Sequence, residues 1–370
     1  MTWGNVTGLA PFPLTYFQTS VSAAVDAFNK AGGVQGRKVQ LITCDTKLNP
    51  AQDAACVAKA KSQGVVMAIE SLDLIDSISI PILEKQGIPV AAEPSSSQAQ
   101  YARNTACFLN GPFVLGPAAG GYLAAHGVKR MSYMEPAGVT DGATIVAAIN
   151  SEMKPHGGKV TKRIPVSPTA TNFESLAAEA TSSNEQAVYP FANPPGLFSL
   201  IGALHQNTPN VKLAFPGYSV QDKDVLGAVN GKINGAFVVN FSALPNDRRY
   251  AGIRLFQQQI AKADVTKEAA LEVWANTWGA MQILGSIKRG DINAKTIMAA
   301  MKKTTVRFQG VIPDWKYRFN TLGLGCVNNN TVYTGTVHGT TITPTPGKPV
   351  QGLTPAAIAL YKKAFAHYVK

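Results

Sequence analysis

The sequence predicts an α/β protein made of two successive units, each built around a parallel sheet. Three observations predict this fold class. Short apolar runs alternate with segments of helical periodicity over most of the 370 residues, which is typical of parallel strands covered on both faces. The alternation restarts after Gly111-Pro112, and a mainly helical segment follows Pro245. The length also favours about two domains.

The first unit begins with a strand-like segment at 3–7 and an amphipathic helix at 15–31. Gly32-Gly33 ends this helix, because glycine tolerates the left-handed conformation of a helix cap. Asn49 and Pro50 mark the start of the next helix as its N-cap and first helical residue. The expected elements after the first helix are strand 38–44, helix 50–62, strand 65–70, helix 74–85 and strand 88–92.

The second unit repeats this rhythm. Its expected elements are helix 113–126, strand 130–134, helix 143–153, strand 159–164, helix 173–180, strand 187–191, helix 196–205, strand 211–215 and strand 236–241. After Pro245 we expect helices at 248–263, 267–287 and 293–303, a β-like region with many turns at 308–342, and a closing helix at 356–368.

The chain carries a formal net charge of +12, distributed unevenly. The charges balance in 1–111 and sum to +1 in 112–244, whereas 245–370 carries +11. A nucleic-acid surface needs basic residues clustered on one element with aromatic residues between them, and here they are spread thinly. We therefore expect no nucleic-acid partner and assign the charge to a solvated outer surface rather than to a ligand site.

The chain has four cysteines and no apolar run of the ~18 residues that a membrane helix requires. None of the cysteines forms a Cys-x-x-Cys pair, which argues against zinc and thioredoxin-like sites. An even number at wide spacing fits two disulfides and an oxidising compartment. Four buried thiols in a cytosolic protein are the alternative.

The search for an enzyme site is mostly negative. The five histidines stand at no metal-ligand spacing, and the chain has neither a phosphate-binding loop nor a nucleophile elbow. Ser151 and Lys154 form a Ser-x-x-Lys string, which could place an amine near a nucleophilic hydroxyl. A serine hydrolase built on these two residues is kept as an alternative. We expect no catalytic residue, no metal and no cofactor.

A set of loops follows the predicted strands. In open parallel α/β sheets, ligands bind at the carboxyl ends of the strands, and these loops carry the hydroxyl, glycine and aromatic residues that suit a small molecule. The loops are 71–73 and 93–97 in the first unit, and 136–141, 192–195 and 216–220 in the second.

Several stretches occur in an order that points to a known family. The run Asn29–Arg37 reads Asn-Lys-Ala-Gly-Gly-Val-Gln-Gly-Arg, and Gly87-Ile88-Pro89 precedes the fourth strand. Later come the helix Ala275–Leu284, with Trp278 where a tyrosine is usual, and Phe308-Gln309-Gly310. With these stretches the chain resembles the type 1 periplasmic binding proteins, the solute-binding proteins of ABC importers for branched-chain amino acids.

The resemblance implies two Rossmann-like lobes with parallel central sheets, joined by a three-crossover hinge and closing on a ligand. Lobe 1 would combine 1–111 with 245–322, and lobe 2 would combine 112–244 with 323–370. The protein would be a non-catalytic, extracytoplasmic binding protein that traps a small organic ligand between its lobes and delivers it to an ABC permease. A ligand sensor of the same fold, acting on a regulatory partner, is the alternative.

Only some of the family's ligand-binding positions have a matching residue in this chain. A loop rich in serine and threonine appears as 93–97, where Glu93 would oppose a ligand carboxylate that the serines could bind. The family's Tyr-Gly in lobe 2 is replaced by Thr140-Asp141-Gly142. The expected ligand-binding residues are Ser71, Leu72, Asp73, Glu93, Ser95, Ser96, Ser97, Gly138, Thr140, Asp141, Tyr189, Phe191, Asn193, Tyr218 and Trp278.

The expected ligand differs from that of the family's amino-acid binders. Those proteins pair the ligand ammonium with a carboxylate in lobe 2, and the matching position here is Tyr218. Because a buried ammonium without a partner is costly, we expect a ligand other than a plain α-amino acid, such as an aromatic or other organic acid. An aromatic pocket would be lined by Tyr189, Phe191, Phe215, Tyr218 and Trp278, and ordinary core packing is the alternative for each of them.

The cysteines fit the extracytoplasmic location that the resemblance implies. Cys44 ends the second strand and Cys56 lies in the following helix, so we expect this pair to be bonded. Cys107 and Cys326 would both lie near the crossovers, and we expect them to pair across the hinge region. The expected mature form is a monomer without its signal peptide, either periplasmic or anchored at the cell surface.

Overall fold

The computed structural model describes residues 1–4, 6–7, 15–47, 49–71, 76–93, 98–137, 141–167, 170–190, 194–217, 223–229, 231–262 and 264–369. The chain divides into two compact units. Unit 1 comprises Met1–Gly111, Asp247–Asn329 and Ala366–Lys370. Unit 2 comprises Pro112–Asn246 and Asn330–Phe365.

Unit 1 is built on a five-stranded parallel sheet in the order β2-β1-β3-β4-β5. The direction of strand succession reverses between β1 and β3, so the crevice at the carboxyl ends of these two strands is the expected ligand position. The strands are β1 (Thr2–Gly4), β2 (Thr43–Asp45), β3 (Ala68–Glu70), β4 (Val90–Ala92) and β5 (Thr105–Cys107).

The helices between these strands begin and end for local reasons. Phe17, Val21 and Val25 form the buried face of the first helix, and the Asn49 side chain accepts a hydrogen bond from the Gln52 N–H at the start of the second. These helices are α1 (Thr15–Lys30), α2 (Pro50–Ala58) and α3 (Asp76–Gln86).

Unit 2 alternates helices and strands in the same way. Its parallel strands lie in the order β7-β6-β8-β9-β10, and a large apolar core that includes Leu200, Leu204 and Phe215 packs beside them. The elements in chain order are α4 (Pro112–Ala125), β6 (Arg130–Pro136), α5 (Gly142–Met153), β7 (Lys159–Val166), α6 (Phe173–Thr181), β8 (Ala187–Pro190), α7 (Pro194–Asn207), β9 (Lys212–Pro216), α8 (Lys223–Ala228) and β10 (Phe237–Asn240).

The chain then returns to unit 1 through a mainly helical segment. This segment contains α9 (Ala251–Gln259), α10 (Glu268–Gly285), α11 (Ala294–Lys303) and the short antiparallel pair β11 (Thr305–Val306) and β12 (Trp315–Lys316). Helix α10 packs along α1 and is buried on nearly all sides, which is typical of a helix in the interior of a unit.

The last elements complete unit 2. Strand β13 runs antiparallel to β10 and extends its sheet. The elements are β13 (Thr331–His338), β14 (Thr341–Pro344), β15 (Val350–Gln351) and α12 (Pro355–Ala364). Among the described residues, no helix is both long enough and apolar enough to span a membrane.

The α/β fold class with parallel sheets is confirmed, but several element boundaries differ from the expected ones. The strand expected at 38–44 is reduced to Thr43–Asp45, and the helix expected at 50–62 ends at Ala58. Strand β5 and helix α8 were not expected at all. Both are short, so they carry too few residues for a periodicity to stand out.

Both predicted disulfides are confirmed, with Cα–Cα distances of 5.7 Å for Cys44–Cys56 and 5.3 Å for Cys107–Cys326. The expectation that the second bond spans the hinge is wrong, because both of its cysteines belong to unit 1. Residues 323–329 lie in unit 1 rather than in the second lobe, since this bond and the hydrogen bond from Cys326 N to Gln100 O hold them there.

The final residues also lie in unit 1 rather than in the second lobe. Residues 366–370 belong to that unit, and the Tyr368 ring packs on the Tyr101 ring with a centroid distance of 5.0 Å. A ring contact between residues so distant in sequence does not follow from local composition.

Candidate functional site

The carboxyl ends of β1 and β3 approach each other closely in unit 1. A Cβ atom at Gly4 would overlap the carbonyl of Ser71, so only glycine fits there. The Ser71 N–H and hydroxyl both donate to the Trp3 carbonyl, at 2.9 and 3.1 Å. Ser71 therefore joins the two strands with its hydroxyl, and its role as a ligand contact stays a prediction.

The carboxyl end of β2 carries Asp45, which organises the chain after β1. Its carboxylate accepts hydrogen bonds from Val6 N at 2.9 Å, the Thr7 hydroxyl at 2.6 Å and Lys47 N at 3.0 Å. Burial alone would raise the pKa of Asp45, but these hydrogen bonds outweigh it and lower the pKa below its usual value.

Glu93 follows β4 directly and is only 8% exposed. Its Oε1 atom accepts no hydrogen bond among the described residues. Burial raises the pKa of Glu93 to about 8, because a carboxylate loses hydration when it is removed from water. At neutral pH this carboxyl is therefore mostly protonated when nothing compensates its charge.

Helix α10 brings further polar side chains to the same region, which the sequence analysis did not single out. Asn276 donates from Nδ2 to the carbonyls of Glu70, at 3.0 Å, and Ala91, at 3.2 Å, at the ends of β3 and β4. Glu268 and Glu272 precede it at intervals of one helical turn and are also buried. A polar residue at every fourth position of an apolar helix is the signal that could have revealed them.

Trp278 lies on a different side of α10 from this polar face. It is two residues after Asn276, which is about 200° around the helix axis. Its ring stacks on Trp274 with a centroid distance of 5.8 Å and an interplanar angle of 6°. The structure therefore does not bring Trp278 together with Glu93, and its ligand role stays a prediction.

In unit 2, two tyrosines stand side by side on neighbouring strands. Tyr133 on β6 and Tyr189 on β8 are in register, and their rings stack with centroids 6.0 Å apart. The Tyr189 hydroxyl is buried and has no hydrogen-bond partner among the described residues. Burial, and to a smaller extent Tyr133, raises the pKa of Tyr189, so its hydroxyl stays a neutral potential donor. Tyr133 is an aromatic that the sequence analysis missed.

An ion pair lies beside these tyrosines. Arg163 Nε is 2.5 Å from Glu135 Oε1. The Glu135 carboxylate and the Arg163 guanidinium also occupy the position that a Cβ atom of residue 142 would take, so glycine is required there. Burial raises the pKa of Glu135, although Arg163 partly offsets this effect. The Asp141 carbonyl accepts the N–H groups of Thr144 and Ile145, so this predicted residue directly precedes α5, next to Gly142.

The remaining predicted ligand-binding residues lie outside the described residues. They are Leu72, Asp73, Ser95, Ser96, Ser97, Gly138, Thr140, Phe191, Asn193 and Tyr218. Their roles stay predictions. No group of three or more histidine, cysteine, aspartate or glutamate residues within the described ranges has the geometry to hold a metal ion.

The contacts of Ser151 and Lys154 do not form a nucleophile and its base. The Ser151 hydroxyl donates to the Ala148 carbonyl of its own helix at 2.8 Å, and no hydrogen bond among the described residues joins Ser151 to Lys154. A serine hydroxyl engaged with the preceding helical turn is an ordinary helix feature.

A family of known proteins matches most of the chain. The family model described as "Periplasmic binding protein" matches residues 4–325. No curated protein matches the chain in sequence.

Several solved structures have the same fold. A substrate-binding protein of an ABC transporter from Aeropyrum pernix is 11% identical, with a TM-score of 0.82 and coverage of 98% of both chains. A solute-binding protein from R. palustris, in complex with benzoate, is 17% identical, with a TM-score of 0.75 and coverage of 95% of this chain and 96% of its own. A leucine-binding protein from Thermotoga maritima is 16% identical, with a TM-score of 0.75 and coverage of 93% and 96%. At these identities the likeness shows the fold.

Proposed function

The chain belongs to the periplasmic binding protein family, and on that premise we propose that it is the extracytoplasmic solute-binding protein of an ABC importer. It captures a small organic molecule and delivers it to a membrane permease without chemical change, acting as a monomer. The observation that carries this proposal is the match of the family model to residues 4–325.

The ligand in this proposal is a small organic molecule other than a plain α-amino acid. Solved structures with this fold include a protein in complex with benzoate and a leucine-binding protein, so both compound classes belong in a binding test. Tyr133 and Tyr189 of unit 2 are stacked, buried aromatic side chains, and the Tyr189 hydroxyl has no hydrogen-bond partner among the described residues. Aromatic rings with an unpaired hydroxyl would suit an aromatic ligand better than an aliphatic one.

Each unit supplies its own candidate contacts at the carboxyl ends of parallel strands, where ligands of such sheets bind. In unit 1 these are Glu93 and the polar face of α10, and in unit 2 they are the tyrosine pair and the residues around Gly142. Ligand binding stabilises whichever conformation contacts the ligand best.

The experiment that tests this proposal is a titration of intrinsic tryptophan fluorescence with amino acids, aromatic acids and amines. We expect saturable binding of at least one non-amino-acid compound, and a matching rise of the unfolding midpoint. Micromolar binding of leucine with no response to the other compounds would contradict the ligand class. Hydrolysis of ester substrates by the protein, abolished in Ser151→Ala, would contradict a binding role.

A further inference from the structure

One face of α10 carries two glutamates and an asparagine, and the asparagine contacts the ends of two strands. Glu268, Glu272 and Asn276 are spaced by four residues, so they share that face. The hydrogen bonds from Asn276 to the carbonyls of Glu70 and Ala91 fix the face against the carboxyl ends of β3 and β4. Glu93 follows Ala91 by two residues, which brings it to the same place.

The carboxyl groups of Glu93, Glu268 and Glu272 are all removed from water. Glu268 and Glu272 are only 1% and 2% exposed. The pKa of Glu272 is raised by burial and, beyond that, by the charges of Glu268 and Glu93. Because both of these charges act on Glu272, we refer to the three carboxyl groups together as the acidic cluster.

Most oxygens of this cluster lack a hydrogen-bond partner in the described part of the chain. Both oxygens of Glu268, and Oε1 of Glu272 and of Glu93, lack a hydrogen-bond partner. None of the ion pairs among the described residues includes these three groups. The neighbouring Lys267 is engaged elsewhere, since its Nζ is 2.9 Å from Asp264 Oδ1 and lies over the Tyr16 ring.

A purely structural role does not account for the cluster. The positive end of the α10 dipole favours a carboxylate at Glu268, in the first turn of the helix. That effect falls off within the first turn and does not reach three carboxyl groups at once. Buried charges in proteins are otherwise paired or hydrogen-bonded, so the described part of the chain leaves this cluster to be compensated by protons or by a cation.

A second observation indicates a ligand. Asn276 is fully buried, and its Oδ1 atom has no hydrogen-bond partner among the described residues. Its Nδ2 atom donates to the carbonyl of Ala91, two residues before Glu93, and the residue lies one helical turn after Glu272, so its amide stands beside the positions of these two glutamates. The Oδ1 atom of Asn276 is a neutral hydrogen-bond acceptor in addition to the carboxylate oxygens. A set made only of acceptors suits a group with several N–H donors, as an ammonium has.

We propose that Glu93, Glu268, Glu272 and Asn276 form a subsite in unit 1 that holds the cationic nitrogen of an organic amine. This inference rests on the proposed function and narrows its ligand to amines. An α-amino acid fits poorly, because its carboxylate would be carried into the same acidic cluster.

The proposed subsite predicts how the affinity for an amine depends on pH. A cation is held by ionised carboxylates, and burial raises the pKa of Glu93 to about 8 in the free protein. The titratable groups beside Glu93 on β3 and α10 are Glu70, Glu268 and Glu272. Affinity for an alkylamine, which stays protonated up to pH ~10, should therefore rise between pH 6 and pH 8.5. A ligand carboxylate that accepts a hydrogen bond from protonated Glu93 would show the opposite trend.

The test compares compounds that share a skeleton and differ in charge, by calorimetric titration of the full chain with benzylamine, alkylamines, alkyldiamines, benzoate and leucine. We expect an amine to bind, at least tenfold more weakly in Glu272→Gln and in Glu93→Gln. Glu179→Gln should leave the affinity unchanged, because Glu179 is exposed on α6. At pH 8 the unfolded chain ionises these glutamates, whereas burial favours their protonated form in the folded protein, and glutamine removes this cost. The unfolding midpoints of both cluster variants at pH 8 should therefore not fall, which separates loss of binding from loss of folding.

The outcomes separate this inference from the function it rests on. Binding of benzoate or another acid, with amines inactive and Glu272→Gln unaffected, would overturn the amine subsite and leave the importer role intact. Stabilisation by a divalent cation alone would overturn the organic ligand. Binding of an amine with equal affinity in the wild type and both cluster variants would place the amine elsewhere and refute the subsite.

Discussion

Glu93 shows how one residue can be found in the sequence and understood only in the structure. Its position after a predicted strand predicts a ligand contact, and its charge would oppose a ligand carboxylate. The structure removes it from water, and its charge acts on Glu272 together with that of Glu268. Burial therefore raises the pKa of Glu93, which its position in a loop does not predict.

The stability of the ligand-free protein should fall as the pH rises from about 5 to about 8. In this range folded Glu93, whose pKa is raised to about 8, holds a proton that the unfolded chain releases near its usual value of 4.5. The folded state therefore binds more protons, and raising the pH favours unfolding. Glu268 and Glu272 are shifted in the same direction.

Unfolding midpoints measured from pH 5 to pH 8.5 would check this prediction in the wild type and in Glu93→Gln. The variant should show a smaller decrease, because glutamine cannot release a proton. Glu179→Gln serves as the exposed control and should follow the wild type. Identical pH profiles for wild type and Glu93→Gln would contradict the raised pKa.

The buried hydroxyl of Tyr189 should matter for ligand binding and little for folding. It has no hydrogen-bond partner among the described residues, so Tyr189→Phe should change the free energy of unfolding by less than about 1 kcal/mol. Tyr361→Phe is the matched control. Its hydroxyl donates to the Phe113 carbonyl at 2.7 Å, and its removal should cost about 1–3 kcal/mol, because it leaves that buried carbonyl without this partner.

Denaturant unfolding of both variants, with a ligand titration of Tyr189→Phe, would check this pair. We expect weaker binding with nearly unchanged stability at Tyr189. A loss of stability in Tyr189→Phe equal to that in Tyr361→Phe would show that the hydroxyl has a structural partner.

At the scale of the element, α10 combines two roles. Most of its surface is buried against unit 1, including the contact with α1, while one face carries the acidic subsite. Its sequence predicted a helix at 267–287, close to the observed Glu268–Gly285. A helix buried on nearly all sides leaves no polar stripe facing water, so amphipathicity alone could not show which face meets the strand ends.

The packing of α10 can be tested at one glycine. A Cβ at Gly279 would lie 2.6 Å from Phe108, whose ring also packs against Phe308 and Trp315. Gly279→Ala should therefore destabilise the protein by about 1–3 kcal/mol through overpacking. Gly227→Ala in α8 is the control, because nothing lies within 4 Å of its Cβ position. It should stabilise the helix by up to about 1 kcal/mol, and chemical denaturation would measure both.

At the scale of the whole molecule, contacts between distant segments determine which parts of the chain fold together. The Cys107–Cys326 bond joins residues 219 positions apart, whereas Cys44 and Cys56 are separated by 12. Both bonds lie within unit 1. The longer bond holds the returning part of the chain to the sheet built from its first third.

Removing the longer disulfide should destabilise unit 1 more than removing the shorter one. Closing the longer loop restricts the unfolded chain more, by roughly 2–3 kcal/mol on the chain-entropy relation. Paired serine variants of each bond, compared by denaturant unfolding under non-reducing conditions, would check this. Equal losses of stability for the two paired variants would contradict the entropic argument.

The sequence by itself determined the α/β class, the succession of two units and most of the helices, because these follow from periodicity and from glycine and proline at element ends. With the family resemblance, it also led to both cysteine pairs. The tertiary structure decided which separated segments share a unit, and it brought Glu268 and Glu272 beside Glu93. Those relations depend on contacts across large sequence distances, where burial and charge act between residues that no local pattern connects.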